Sequence, residues 1–297
     1  MRARLKPPGW GEILCSLRPL FATSLALLLG AVILLVLDLN PWETYGTLAF
    51  SARGDLFTDT AEYGVGDGPT SVVSCLGDSI TNGYPYGGTD NTYPARLLVM
   101  LEATHGSGSF EVINHGVDGY RADQVLADLQ GLNWMAEGPD FVLLMVGGND
   151  LIQEVLPDLS NLFEVIDQTV AEVQDIVDVV TCHTNADGSR PQIIVSAFPP
   201  NRLSGSGGSA VVALYNTSLE SNLTGIDLWI TDNWDDLYDP ATGQAQASLM
   251  YDTVHPNTQG YAIVAENWFE AINSLLPTPT PTPDNYELYL PLTLKNY

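Results

Sequence analysis

A chain of 297 residues, 45% hydrophobic and 15% charged, can bury a sizeable core and is too apolar to be disordered. Its 36 acidic and 10 basic residues leave a formal charge of −26 at pH 7, which excludes nucleic acid and anionic lipid headgroups as partners of the folded part. Three scattered cysteines, Cys15, Cys75 and Cys182, make no disulfide framework, and no Cys/His spacing suggests zinc.

In chain order, residues 1–19 are basic, with Arg2, Arg4, Lys6 and Arg18, and read as a cytoplasmic N-terminus. Residues 20–37, LFATSLALLLGAVILLVL, carry no charge and read as a transmembrane anchor or uncleaved signal. This segment would be the chain's one contact with a membrane, leaving everything after it extracytoplasmic, either anchored or secreted. Residues 38–70 are a polar, Gly-containing connector. At the other end, 277–284 is a Pro-Thr linker, extended by composition. The tail 285–297 alternates apolar and polar residues. It reads as a β-like segment, for another chain's sheet edge or for retention by a cell-surface partner.

Between these ends, residues 71–276 form a single domain. Apolar runs predict strands over 71–76, 110–114, 140–146, 192–198 and 227–230. Helical periodicity fills the gaps at 93–104, 121–132, 158–181, 209–223 and 257–275. Strands alternating with helices predict a five-stranded parallel sheet covered on both faces, a three-layer α/β/α sandwich. Cys75, inside the first run, reads as core packing, although a Cys75–Cys182 bond stays open if the domain is exported. The serine-rich stretch 204–209 reads as a flexible loop. The acidic stretch 231–239 reads as a solvated loop rather than a calcium site, because it lacks EF-hand spacing.

Ligands of such sheets bind outside the carboxyl ends of the strands. Four strand or loop ends carry unusual residues: GDSIT at 77–81, HGVDGYRAD at 115–123, GGND at 147–150 and DTVHP at 252–256. Each alone is an ordinary turn. Together and in this order they resemble the SGNH/GDSL hydrolase family of esterases and lipases, over about 71–276. That resemblance implies a flavodoxin-like SGNH hydrolase fold and acyl-ester hydrolysis through an acyl-enzyme. It also implies Ser79 as nucleophile, Asp252 and His255 as the other catalytic residues, and Gly119 and Asn149 in the oxyanion hole.

The residue chemistry agrees. A serine hydroxyl needs a neighbouring base, and His is the side chain poised for this near neutral pH. Of the four histidines, His105 and His183 lie in polar loops, and His115 is the rival because it too follows a strand. His255 is preferred because Asp252, three residues earlier, can reach Nδ1 and leave Nε2 for the serine. The alternative for Asp252 is a helix N-cap, and Pro256 is placed in the first turn of that helix. The Ser79 and Gly119 N–H groups and the Asn149 amide can all donate to an oxyanion. Asp150 reads as a helix cap and Asp78 as a support of the nucleophile loop. No G-x-S-x-G elbow occurs, which sets the chain apart from the α/β-hydrolases.

Tyr84 and Tyr86 either wall the acyl or alcohol pocket or are exposed loop aromatics. No lid-like segment interrupts the core, which favours small soluble esters. The expected function is therefore extracytoplasmic hydrolysis of acyl esters, short-chain or acetyl, on a small molecule or glycan, needing no metal and no cofactor. Carbohydrate O-acetylesterase or acyltransferase chemistry could use the same residues. A catalytically silent surface binding module is the alternative from another class, opposed by the complete residue set.

Overall fold

The computed structural model describes residues 71–276. The expected anchor, connector, linker and tail lie outside the described residues. Among the described residues, no helix is long and apolar enough to cross a membrane.

Five strands form one parallel sheet: β1 (Ser71–Gly77), β2 (Phe110–Gly116), β3 (Phe141–Met145), β4 (Gln192–Ser196) and β5 (Leu228–Ile230). Their spatial order is β2-β1-β3-β4-β5. β3 (FVLLM) is buried along its whole length, as a central parallel strand covered on both faces must be. Every strand expected from an apolar run is present, within two residues of the expected ends.

The main helices are α1 (Ser79–Asn82), α2 (Tyr93–His105), α3 (Ala122–Gly131), α4 (Leu162–Cys182), α5 (Ser206–Asn222) and α6 (Thr258–Leu275). In α4 the buried residues Val165, Ile166, Thr169, Val170, Val173, Ile176, Val177 and Val180 recur every three or four positions, so one stripe faces the sheet. Helix α2 packs on α6, while α4 packs between α3 and α5. Right-handed crossovers explain the division. The chain moves from β1 outward to β2, then reverses past β1 to β3, so α2 and α3 fall on opposite faces. Trp268, Tyr93 and Tyr261 are fully buried under the α2/α6 layer, and Tyr215 under the other.

Several expectations are corrected. The stretch 204–209 is only half loop: α5 begins at Ser206, because buried Ser209 donates to the Asn201 carbonyl and accepts from the Asn201 N–H. Residues 231–239 are not an open loop. Asp232–Asp235 makes a helical turn with Asn233 fully buried, and Tyr238–Asp239 pairs with Gln244–Ala245 as a small hairpin. Asn233 donates to Ser196 Oγ at 2.9 Å and accepts from Asn267 at 3.1 Å, which draws the segment inward. Cys75 is a free thiol buried in β1, so no bond forms between Cys75 and Cys182. Burial pushes the Cys75 thiol up to about 12, so it is packing material rather than a nucleophile.

Candidate active site

The order of the strands reverses between β1 and β3, and a crevice at their carboxyl ends is the expected binding place in such a sheet. The GDSIT turn leaves β1 there and the GGND turn leaves β3. Gly116, at the end of β2, leaves room for the GDSIT turn: a Cβ on it would collide with the backbone of Thr81 and Asn82 in α1. The absent side chain lets α1 sit directly on the strand ends and holds Ser79 at its first position.

Asp78 caps that turn by accepting from the Ile80 N–H at 2.9 Å. Asp78 is 2% exposed. Burial pushes its pKa up to about 7, opposed by the Ile80 N–H and assisted by the negative charges of Asp150 and Asp118. The folded state therefore holds this proton more tightly than the unfolded chain, whose value is near 3.8. Stability is then greatest below that value and falls as pH rises through about 7. Asp78→Asn keeps the acceptor oxygen and removes the titration. We expect a melting temperature a few degrees above wild type at pH 8, on the order of 1–3 kcal/mol, with the gap closing towards pH 4. Equal pH slopes for the two proteins in thermal melts would rule the charge effect out.

Across the crevice the loop before α6 presents Asp252 and His255. His255 Nε2 lies 2.9 Å from Ser79 Oγ, and His255 Nδ1 lies 2.8 Å from Asp252 Oδ2. The other carboxylate oxygen of Asp252 accepts from the backbone N–H groups of Val254 and His255, both at 2.7 Å. Partial burial raises the Asp252 pKa, but these two N–H groups and the imidazole outweigh it, so the net shift is downward. The Asp252 side chain, 38% exposed, therefore stands as a carboxylate against His255 Nδ1. The Tyr251 N–H donates to the His255 carbonyl at 2.8 Å, which closes the loop on itself.

Asp252 is therefore not the N-cap of α6. That place belongs to Asn257, whose Oδ1 accepts from the Gln259 and Gly260 N–H groups. Pro256 precedes the cap and bridges Met250, so it lies outside the helix rather than in its first turn. Asp150 is a helix cap of an unexpected kind. It is buried and accepts from the N–H of Ala122, the first residue of α3, rather than capping its own turn Gly148–Asp150. Burial pushes its carboxyl up to about 6, against the pull of the Ala122 N–H.

Asn149 donates one amide hydrogen to the Tyr120 carbonyl at 2.9 Å, which fixes the plane of its amide beside the 117–121 loop. That loop carries Gly119 at φ +81, a left-handed backbone that an L side chain rarely adopts. A Cβ there would meet nothing within 4 Å, so the glycine serves the turn rather than relieving a clash in the folded chain. The rival His115 is engaged elsewhere: its Nε2 lies 2.8 Å from Glu137 and its ring stacks on Trp134 at 4.3 Å. His105 bonds Asn273.

The Tyr84 ring lies 4.6 Å from the His255 ring, and the Tyr86 ring meets Tyr261 edge-on at 6.2 Å. Sequence reasoning missed Tyr251, which stands edge-on to both Tyr84 and Tyr86. Its position next to Asp252 was the available signal. It also missed Tyr261, whose hydroxyl donates to the Tyr84 carbonyl at 2.8 Å. A small apolar crevice is lined by Gly148, Ile152, Phe198, Val211 and Val254, of which Gly148 and Val254 are the chain neighbours of Asn149 and His255.

Residues 75–263 match the family model described as GDSL-like Lipase/Acylhydrolase. Among curated proteins, the uncharacterized protein YpmR of Bacillus subtilis (strain 168) is 24% identical over 227 residues, covering 68% of this chain and 81% of that protein. Among solved structures, the acetylxylan esterase Axe2 of Geobacillus stearothermophilus superposes with a TM-score of 0.52 at 21% identity, covering 69% of this chain and 95% of that one. A catalytic mutant of Axe2 gives 0.54 at the same identity and coverage.

Proposed function

The chain belongs to the GDSL-like lipase/acylhydrolase family and is a carboxylic ester hydrolase; from that premise we propose that it cleaves short acyl esters through a Ser79–His255–Asp252 triad. The observation that carries this reading is the unbroken run of hydrogen bonds from Asp252 through His255 to Ser79, ending at the β1/β3 crevice.

In the proposed reaction His255 Nε2 takes the Ser79 proton as Oγ attacks the ester carbonyl. Asp252 holds Nδ1–H and balances the imidazolium that forms. The Ser79 N–H begins a helical turn and has no intrahelical partner. With the Gly119 N–H and the second amide hydrogen of Asn149, it offers three donors to the oxyanion. Protonated His255 then hands its proton to the leaving alcohol. Water repeats the sequence on the acyl-enzyme, releasing the acid and restoring Ser79.

The small apolar crevice lined by Gly148 and Val254, the chain neighbours of Asn149 and His255, supports a short acyl group. Acetylated glycans are the first substrates to test, because Axe2, which shares the fold, is an acetylxylan esterase. The same proposal puts the domain outside the cytoplasm, on the strength of the charge-free segment 20–37 behind a basic N-terminus.

The direct test uses the full-length chain with p-nitrophenyl acetate, longer acyl homologues and acetylated xylo-oligosaccharides, beside labelling by a fluorophosphonate. We expect turnover that falls with acyl length, and a label on the peptide containing Ser79. A label on any other peptide, or no turnover of any acyl ester, would sink the proposal.

A further inference from the structure

The donors at Gly119 and Asn149 set where the substrate's carbonyl oxygen points. The two other groups on that carbon, the acyl chain and the alcohol oxygen, are then distinguished by His255. The alcohol oxygen has to face Nε2, because that nitrogen supplies the proton it leaves with. Whatever surrounds the exposed side of His255 therefore meets the alcohol part of the ester.

That surroundings is aromatic. The Tyr84 ring packs 4.6 Å from the imidazole at an angle of 47°. Tyr251 meets Tyr84 edge-on at 6.3 Å and Tyr86 at 6.1 Å, and Tyr86 rests on buried Tyr261. Tyr84 and Tyr251 are 40% and 54% exposed. The rings are nevertheless held in place. The Tyr84 N–H donates to the Ser79 carbonyl, the Tyr84 carbonyl accepts from Tyr261, and the Tyr251 N–H donates to the His255 carbonyl. Two large rings left open to water, yet bonded to both catalytic loops, form a prepared surface rather than frayed loop aromatics.

Its electrostatics select among alcohols. Asp118 and Asp252, and Asp78 once it ionises, contribute negative potential at Tyr261, beneath the tyrosines. Arg202 is bonded to the Asp252–His255 loop through its backbone N–H, which donates to the Thr253 carbonyl, while its guanidinium donates to the Ala245 carbonyl. A phosphate-bearing or uronate alcohol would be repelled. An uncharged sugar ring presents C–H faces to the rings and hydroxyls to the tyrosine O–H groups.

We propose that Tyr84 and Tyr251, backed by Tyr86, form the platform that binds an uncharged glycan as the alcohol part of the ester. This rests on the triad proposed above. Tyr251 is the cleaner probe, because its ring touches Tyr84 and Tyr86 and its backbone contact to His255 survives substitution. The full-length wild type and Tyr251→Ala are assayed on acetylated xylotriose and on ethyl acetate, whose alcohol is too small to reach the platform. We expect the ratio of kcat/KM for glycan over ethyl acetate to fall about tenfold, carried by KM, and Tyr251→Trp to restore it. An acetylated uronate oligosaccharide should be a poorer substrate than its neutral counterpart at low salt. An unchanged ratio, or equal loss on both esters, would overturn the platform while leaving the triad standing. A wild type inactive on both esters would overturn the triad and the platform together.

Discussion

Ser79→Ala lowers kcat on any acyl ester by about 10⁴-fold or more, with the fold intact. The structural reason is that Ser79 Oγ makes one hydrogen bond, the 2.9 Å contact with His255 Nε2, and no bond that holds the loop. The loop is held instead by Asp78 capping Ile80, and by the Ser79 carbonyl, which accepts from the Gly83 and Tyr84 N–H groups. All three survive the substitution, and a methyl group fits the 8% exposed position. The melting temperature should therefore stay within about a degree of wild type, since removing one partly exposed hydroxyl costs little. Residual hydrolysis would come from the oxyanion donors and substrate binding alone. Steady-state rates with burst kinetics, read beside a thermal melt, give both numbers. Activity within tenfold of wild type would place the nucleophile elsewhere.

Asp252→Asn has the second largest effect, a fall in kcat on the order of 10⁴-fold. Asn retains an oxygen that can accept from the Val254 and His255 N–H groups, so the loop keeps its shape. Its amide then faces His255 Nδ1 with a donor, which favours the tautomer carrying hydrogen on Nε2. That tautomer cannot accept the Ser79 proton. Asp252→Ala separates the two duties of this residue. It loses the orienting contact and also orphans two backbone donors, so it should lose activity comparably and melt lower than Asp252→Asn. If both variants keep more than a tenth of wild-type activity, solvent at this 38% exposed carboxylate is replacing it, and the pair Ser79–His255 suffices.

The two predictions differ in how far they depend on tertiary detail. The alanine prediction needs only the identity of the nucleophile, which the order of GDSIT, GGND and DTVHP already indicated. The asparagine prediction needs the division of the two carboxylate oxygens, one on the backbone and one on the imidazole. Spacing cannot supply that, because Asp-x-x-His is equally compatible with a cap at the start of α6. Asn257 takes the cap because it lies directly before the first helical residue, whereas Pro256 falls outside the helix altogether.

Asp150 shows the same limit. Its residue type suits a cap, but the N–H it accepts belongs to α3, 28 positions earlier in the chain. The position of Tyr251 next to Asp252 was legible, but its exposure was not. Aromatic residues near a catalytic loop are commonly core, and only the packing of Tyr84, Tyr86 and Tyr261 shows that this one stays open to water.

What the sequence determined by itself was local: which runs are strands, where the long helices lie to within a few residues, and which loops carry Ser79, Gly119, Asn149, Asp252 and His255. Those features follow from burial periodicity and side-chain chemistry over a few residues, and the structure moves the strand ends by no more than two positions. Only the tertiary structure decided the strand order, the meeting of Ser79 with His255 across 176 positions, the partner of Asp150 and the exposure of Tyr251. These depend on packing between segments distant in the chain, which no window of neighbouring residues encodes.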